Sequence, residues 1–157
     1  MSDSDNSVGG VGLRLARFFP FRLVALGDAI GRLFGQAYSE AENLSVSEWR
    51  VLAVACELGT ASARDVAEKT PMDKMAVSRA VASLVDKGYV DRRPSETDRR
   101  AAVISPSEAG RGVYARVAVI ALAREADVLC ALTDEERDSL DRILDKLAAR
   151  VSELRRS

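Results

Sequence analysis

Residues 62–110 read SARDVAEKTPMDKMAVSRAVASLVDKGYVDRRPSETDRRAAVISPSEAG. The segment opens with two short helical patterns, each preceded by a residue that can cap a helix N-terminus, Ser62 and Asp73. Gly88 is placed to end the second helix, and a strand–turn–strand pattern rich in arginine follows it. Two helices followed by such a ribbon predict a winged helix-turn-helix. In this arrangement one helix enters the major groove of DNA while the ribbon contacts the backbone beside it.

Most of the remaining chain is predicted to be helical, which makes the fold class mainly α. Aromatic residues make up only 5% of the chain, a composition that favours helices over sheets. A hydroxyl residue followed three positions later by Glu marks helix starts at Ser45, Ser105 and Thr133, with Pro106 as the first helical residue of the second. A weaker version, with Asp in place of Glu, begins at Ser62. The predicted helices span about 20–41, 46–58, 63–69, 74–87, 106–131 and 134–154, and the predicted strands span 89–93 and 99–104.

The length of 157 residues suits one domain with a buried core. We predict a disordered tail at 1–12, helical dimerisation regions at 13–43 and 106–157, and a DNA-binding region at 44–105. The apolar stripes of the first and last helices exceed what so small a core can bury, which predicts a symmetric homodimer. The residues expected at its interface are Phe18, Phe19, Leu147, Val151 and Leu154.

The composition excludes several classes of protein. Its apolar runs are too short to cross a membrane, and its first residues lack the basic start of a signal peptide, so a cytoplasmic protein without membrane contact is expected. Histidine is absent and no cluster of Cys or acidic residues replaces it, so we expect no metal, no cofactor and no catalytic centre. Cys56 and Cys130 lie in apolar helical surroundings typical of small buried residues, and a redox role is the alternative.

The helix predicted at 74–87 has two different faces. Its inner face should pack on the two preceding helices through Val77, Ala80, Val81, Leu84 and Val85. Its outer face is polar or basic and contains no acid, which favours a role in reading DNA over that of a merely solvated surface. The outer residues are Lys74, Met75, Ser78, Arg79 and Ala82.

Chemistry suggests how these residues would divide the recognition of DNA. Arg79 suits a bidentate contact to a guanine edge, with Lys74 and Ser78 nearby, and Met75 and Ala82 suit the methyl group of thymine. Backbone phosphates are expected to meet the start of the preceding helix and the ribbon. The residues expected there are Ser62, Arg64, Arg93, Arg99 and Arg100.

Gly27, Gly31 and Gly35 recur every four residues on one face of the first helix. Each costs roughly 1 kcal/mol relative to Ala in a helix interior, so a compensating role is expected. Close approach of another helix is one interpretation, and space for a small ligand is the other.

With these residues in view, the chain resembles the MarR (multiple antibiotic resistance regulator) family of transcription factors. The resemblance rests on the joint order and spacing of four motifs, and it covers the whole chain in element order. The motifs are Leu44-Ser45-Val46-Ser47-Glu48-Trp49-Arg50-Val51-Leu52, Val77-Ser78-Arg79-Ala80-Val81, Leu84-Val85-Asp86-Lys87-Gly88-Tyr89-Val90, and Asp98-Arg99-Arg100 before Val103-Ile104-Ser105. The resemblance implies a homodimeric regulator, usually a repressor, that binds a palindrome in double-stranded DNA. It further implies that Arg100 enters the minor groove and that Asp98 helps to orient it, although Asp98 could also be a simple turn residue.

The resemblance also implies an effector pocket for an aromatic carboxylate or a related molecule such as an acyl thioester. Phe21, Arg22, Tyr38 and Trp49 are the aromatic and cationic residues that could line it, although Trp49 also suits a place in the core. Two other classes of function remain as alternatives. A winged-helix module that binds proteins would need an apolar or acidic outer face on the helix at 74–87. An enzyme would need a nucleophile with a base, a metal cluster or a phosphate loop, and the sequence offers none of these.

Overall fold

The computed structural model describes residues 12–95 and 102–156 of the chain. These residues form a mainly helical fold with a small three-stranded sheet, one strand of which precedes the third α-helix while the other two lie between the fourth and fifth. A short 3-10 helix at Leu15–Arg17 precedes the first α-helix. The α-helices are α1 (Phe19–Glu42), α2 (Val46–Leu58), α3 (Ala63–Lys69), α4 (Lys74–Asp86), α5 (Glu108–Leu129) and α6 (Asp134–Leu154). The strands are β1 (Ala61–Ser62), β2 (Val90–Pro94) and β3 (Ala102–Pro106).

Local capping chemistry fixes where four of these helices begin. The predicted capping boxes form at three starts, where a hydroxyl accepts from a backbone N–H and the acid accepts from the N–H of the cap. At α4, the Asp73 carboxylate accepts from the backbone N–H of Ala76 at 2.7 Å. The three boxes pair Ser45 with Glu48, Ser62 with Asp65, and Thr133 with Glu136.

The predicted capping box at Ser105 is wrong. Ser105 and Pro106 belong to β3, where they pair with Asp91 and Val90, and α5 begins two residues later than expected. Ser107 is the cap, since its hydroxyl oxygen accepts from the N–H of Gly110 at 3.0 Å. The burial of Pro106 explains the shift, because the strand gains apolar contact with the core by continuing through it.

The sheet is antiparallel and has the order β1–β3–β2. The predicted strand at 89–93 lies one residue later, and the predicted strand at 99–104 extends to Pro106, with 99–101 outside the described residues. Strand β1 was not predicted, because two residues are too few to show a period. It pairs with the middle of β3, through Ala61 with Ile104 and Ser62 with Val103.

The core lies between α2, α3, α4 and the sheet, and the start of α5 closes it. Leu52, Val66 and Leu84 are fully buried within it. Four of the five predicted inner residues of α4 are buried, but Val85 is 38% exposed, so its assignment to the core is wrong. Val85 falls on the last turn of α4, shortly before the chain turns into β2.

The long terminal helices extend beyond this core. Helix α5 has 22 residues, which corresponds to roughly 33 Å and is shorter than predicted. Helix α6 contains no buried residue in the described chain, although its sequence is strongly amphipathic. An ion pair between Glu42 and Arg116 joins α1 to α5, with Arg116 Nη2 donating to Glu42 Oε2 at 3.0 Å.

The glycine stripe of α1 has a structural reason at one position. A Cβ on Gly35 would lie 2.8 Å from Val46 Cγ2, so α2 approaches α1 closely there. A Cβ on Gly27 or Gly31 would meet no described atom within 4 Å. Close helix approach therefore accounts for Gly35, whereas Gly27 and Gly31 face open space in a single chain.

Candidate nucleic-acid interface

Helix α4 presents to solvent the five side chains that were expected to read DNA. The opposite face is anchored through Val77, Ala80 and Leu84, which are buried. Because buried and exposed residues alternate with the period of a helix, the exposed side chains lie together on one strip. We name this strip the reading face: it consists of Lys74, Met75, Ser78, Arg79 and Ala82, all of them exposed.

The charge of the reading face suits a polyanion. It carries the cations Lys74 and Arg79, and the first turn of α4 contains no acidic residue after the Asp73 cap. The N-terminus of a helix also bears a partial positive charge, which adds to that of the two side chains. The two cations and the two apolar side chains provide the types of contact that base edges and thymine methyl groups accept.

The residue that caps α3 and the ribbon formed by β2 and β3 lie side by side in the sheet. Val103 in β3 pairs with Ser62 on one side and with Arg93 on the other. Residues directly opposite each other on antiparallel strands share a face, so Ser62 and Arg93 lie on the same side, about 10 Å apart across β3. Arg93 is exposed, as is Arg92 beside it. The predicted wing residues Asp98, Arg99 and Arg100 lie outside the described residues.

The two residues expected to hold phosphates at the start of α3 are already engaged within the chain. The Ser62 hydroxyl donates to Asp65 Oδ2 at 2.7 Å and accepts from the Asp65 N–H. The hydrogen bonds that the Ser62 hydroxyl and the Ser62 backbone N–H donate to the Asp65 carboxylate lower the pKa of Asp65. Arg64 donates to Glu68 at 2.7 Å, but this pair is solvent-exposed and is readily exchanged for another anion.

A buried carboxylate behind α4 was not anticipated as part of the site. Glu48 is only 6% exposed, and its Oε1 accepts from Ser83 Oγ at 2.6 Å and forms an ion pair with Lys87 Nζ at 2.7 Å. Its Oε2 accepts from the Ser45 N–H at 2.7 Å. Burial would raise the pKa of Glu48, but the hydrogen bonds from Lys87, Ser83 and Ser45 outweigh it and hold this pKa at about 2. The local sequence pattern predicts only a capping role for Glu48, because Ser83 and Lys87 lie far from it along the chain.

A groove of about 660 Å³ separates α4 from the junction of α1 and α2. Gly35 and Ser39 of α1 line one side, and Arg79 and Ser83 of α4 line the other. Arg79 therefore borders both the reading face and this groove. The Glu48–Lys87 pair lies at the end of the groove where α4 terminates.

The four residues predicted to form an effector pocket do not line one cavity within a single chain. Phe21 and Arg22 border a shallow pocket at the start of α1, whereas Tyr38 lies 17 residues after Phe21, roughly 25 Å along the helix. Tyr38 is buried in the core, and its burial raises its pKa. Trp49 packs between aromatic rings, with centroids 5.3 Å from Tyr38 and 5.4 Å from Tyr114. Trp49 therefore packs against the hydrophobic core, as the alternative interpretation of this residue expected.

The residues expected at the dimer interface are mostly exposed. Phe19, Val151 and Leu154 are more than half exposed, Phe18 is 40% exposed, and Leu147 is half-buried. Cys56 is half-buried, which raises the pKa of its thiol, and Cys130 is exposed rather than buried as expected. Within the described ranges, no helix combines the length and hydropathy needed to cross a membrane, and no cluster of side chains could hold a metal ion.

These features define a winged helix-turn-helix protein with long terminal helices, and comparison with known proteins identifies its family. The profile of the MarR family matches residues 42–101. An uncharacterized HTH-type transcriptional regulator of Mycobacterium bovis is 31% identical over 113 residues, which cover 70% of this chain and 77% of that protein. The chain belongs to the MarR family of transcriptional regulators. Because members of this family are regulators, the enzyme alternative is excluded.

Solved structures support the same fold. The MarR/EmrR family transcriptional regulator from Acinetobacter sp. ADP1 is 26% identical, with a TM-score of 0.82, over 90% of this chain and 99% of that one. Bordetella bronchiseptica BpsR, whose DNA binding is regulated by 6-hydroxynicotinic acid, is 18% identical with a TM-score of 0.78, over 87% of this chain and 96% of that one. The latter similarity establishes the fold alone.

Proposed function

We propose that this regulator binds a palindromic operator in double-stranded DNA as a homodimer, with one α4 in the major groove of each half-site. The reading face of α4 is the observation that carries the proposal. Its exposed side chains are basic, polar or apolar and none is acidic, while the opposite face holds the helix rigidly on the core. In this proposal residues 44–105 form the DNA-binding region, and 13–43 with 106–157 form the dimerisation region.

Within each half-site, Arg79 would contact a guanine edge, and Lys74 and Ser78 would contact neighbouring bases or phosphates. Met75, which is 64% exposed, and Ala82 would contact thymine methyl groups. The flexible and polarizable side chain of Met75 suits such an apolar contact.

Phosphate contacts would come from the row formed by the start of α3 and the ribbon. Arg64 can exchange Glu68 for a phosphate at little cost, because the ion pair is exposed. Arg93 would contribute from the same side of the sheet. For the residues outside the described ranges, the proposal follows the family resemblance: Arg99 would contact DNA, Arg100 would enter the minor groove, and Asp98 would help to orient it. A contact from Ser62 would require its hydroxyl to turn away from Asp65.

The homodimer is supported by apolar surface that a single chain leaves in water. Helix α6 buries no residue, and large apolar side chains at the start of α1 and along α5 are exposed as well. A two-fold interface would cover Phe18, Phe19, Leu147, Val151 and Leu154. It would also supply a neighbouring helix for Gly27 and Gly31.

The proposed effector is a small aromatic carboxylate or an acyl thioester, whose binding would release the protein from DNA and so relieve repression. BpsR, which has the same fold, responds to 6-hydroxynicotinic acid. In a dimer, the pocket beside Phe21 and Arg22 at the start of α1 combines apolar surface with a cation, which suits such a ligand. Competition of candidate acids and thioesters against operator DNA is the direct test of this part.

The experiment that tests the main proposal is a gel shift against the intergenic DNA upstream of the protein's own gene, followed by footprinting. We expect a protected palindrome and a complex that weakens steeply with salt. Absence of any preference over unrelated DNA would instead favour a winged-helix module that binds proteins. The polar and basic reading face argues against that module, and retention on heparin gives a rapid check. Since transcription is the process regulated, the proposed location is the cytoplasm.

A further inference from the structure

A single ammonium group connects three helices behind the reading face. Lys87 follows directly after α4, and its Nζ lies 2.7 Å from Glu48 Oε1 near the start of α2. The same Nζ donates to the backbone carbonyl of Asn43 at 2.7 Å. Asn43 caps the C-terminus of α1 in the left-handed conformation, with φ 49° and ψ 42°. Because Asn adopts this conformation more readily than most residues, the carbonyl is presented to Lys87 at low cost.

The Glu48 carboxylate also holds α4 itself. Ser83 donates to it at 2.6 Å, and Ser83 lies one helical turn after Arg79. Residues four apart share a strip of the helix surface, so this hydrogen bond fixes the rotation of the strip that carries Arg79. A small rotation of α4 about its axis would break the hydrogen bond and would redirect the Arg79 guanidinium.

Burial distinguishes this pair from the other ion pairs formed by the described residues. The side chains of Lys87 and Glu48 are 27% and 8% exposed, whereas those of Lys69 and Glu57, a Lys–Glu pair between α3 and α2, are 41% and 60% exposed. An exposed pair contributes little, because water and salt replace it easily. A buried pair must overcome the desolvation of both charges, so it forms only in a demanding orientation, and removing one partner leaves the other charge uncompensated.

We infer that Glu48 and Lys87 are positioning residues for operator recognition, which fix α4 relative to α1 and thereby set the separation of the two reading faces in the dimer. The inference rests on the proposed function, because only a dimeric DNA-binding protein requires such a separation. Helix α1 belongs to the proposed dimerisation region and α4 to the DNA-binding region, and the pair lies where they meet. Losing it would let α4 vary in orientation while the core, which is apolar and lies on the other face of α4, stays intact.

The test measures binding of the full-length dimer to its operator, to operators whose half-site spacing is changed by one or two base pairs, and to unrelated DNA. The variants are Lys87→Met, Glu48→Gln and the milder Ser83→Ala, and Lys69→Met is the control. Lys69→Met removes the same charge and a Lys–Glu pair, but this pair joins α3 to the opposite end of α2 and includes no residue of α4. We expect Lys87→Met to lower the preference for the natural spacing about 5- to 10-fold and Lys69→Met to leave it unchanged. Lys87→Arg, which keeps a cation for Glu48, should restore most of the preference.

A combined Lys87→Met/Glu48→Gln variant separates positioning from direct contact with DNA. If both residues act through one another, the double variant loses no more preference than the worse single variant. If Lys87 itself held a phosphate, Glu48→Gln would strengthen binding to unrelated DNA and leave the spacing preference intact, which would overturn the inference. Retention of the natural preference by all variants would overturn it as well. A parent protein that binds no DNA selectively would refute the proposed function, and this inference with it. The outcomes described above, in a parent protein that does bind its operator, would refute the inference alone.

Discussion

Arg79 is the residue on which base recognition depends most directly in this proposal. We expect Arg79→Ala to weaken operator binding by about 1–3 kcal/mol and to relax discrimination at one base pair of each half-site, since a bidentate contact is lost. Fluorescence anisotropy with operators substituted one base pair at a time measures both effects.

Arg124→Ala provides the matched control for Arg79→Ala. Arg124 is an exposed arginine of α5 that pairs with Asp127 one turn away, and its replacement by Ala changes the net charge by the same amount. The control should bind every operator like the parent. Equal weakening by both variants at all base pairs would mean that Arg79 acts only through its charge.

Glu48 gives the stability of the protein a defined dependence on pH. Its pKa lies at about 2 in the folded chain and at 4.5 ordinarily, so the folded state favours the ionised form. The resulting stabilisation is present above the ordinary value and is lost as the pH falls from about 4.5 towards 2. We expect Glu48→Gln to lower the free energy of unfolding near pH 7, on the order of 2–3 kcal/mol, and to flatten its dependence in this window. Urea unfolding at a series of pH values measures the effect, and an unchanged pH dependence would contradict it.

At the scale of elements, the start of α5 is fitted against the turn that leads into β2. A Cβ on Gly110 would lie 1.9 Å from the backbone oxygen of Tyr89, which cannot move aside as a side chain would. We expect Gly110→Ala to destabilise the protein by about 3 kcal/mol, because α5 must shift away from the sheet. Gly112→Ala is the control, since its Cβ would meet only the end of the Arg116 side chain at 3.4 Å. Thermal unfolding should show a loss for the first and none for the second.

The elements that were predicted correctly are specified by interactions between residues close together in the sequence. The capping boxes at Ser45 and Thr133 specify helix starts within four residues, and both formed. The box at Ser105 failed because a competing, non-local interaction, the pairing of β3 with β2, extends the strand through Pro106. Strand β1 exists only because β3 lies beside it, so no local pattern could reveal it.

The same distinction applies to the candidate site. The reading face follows from helical periodicity, since burial of Val77 and Leu84 forces Arg79 outward. The Glu48–Ser83 hydrogen bond joins residues 35 positions apart, and no short-range spacing signals it. The four expected effector residues do not line one cavity within a single chain for a related reason: Phe21 and Tyr38 share a helix but lie far apart along it.

In the proposed homodimer, a partner chain covers the apolar face of α6. A helix of 21 residues that buries none of its side chains in the described chain lacks the packing that stabilises most helices in proteins. Val151 and Leu154 are 56% and 59% exposed on its last turns. Placing a charge there would force a carboxylate into an apolar interface, which is strongly unfavourable unless the charge is paired.

We therefore expect Val151→Glu and Leu154→Glu to convert a dimer into monomers and to abolish cooperative occupation of both half-sites. Ser152→Glu is the matched control, because it adds the same charge to an exposed polar position of the same turn. Sedimentation equilibrium over a range of protein concentrations measures the mass, and footprinting on the operator reports whether both half-sites are protected. The folded core of the variants should persist, since α2, α3 and α4 pack without any contribution from α6. A parent protein that sediments as a monomer, or variants that remain dimeric and protect both half-sites, would show that the apolar face of α6 has another role and that the separation of the two reading faces is set elsewhere.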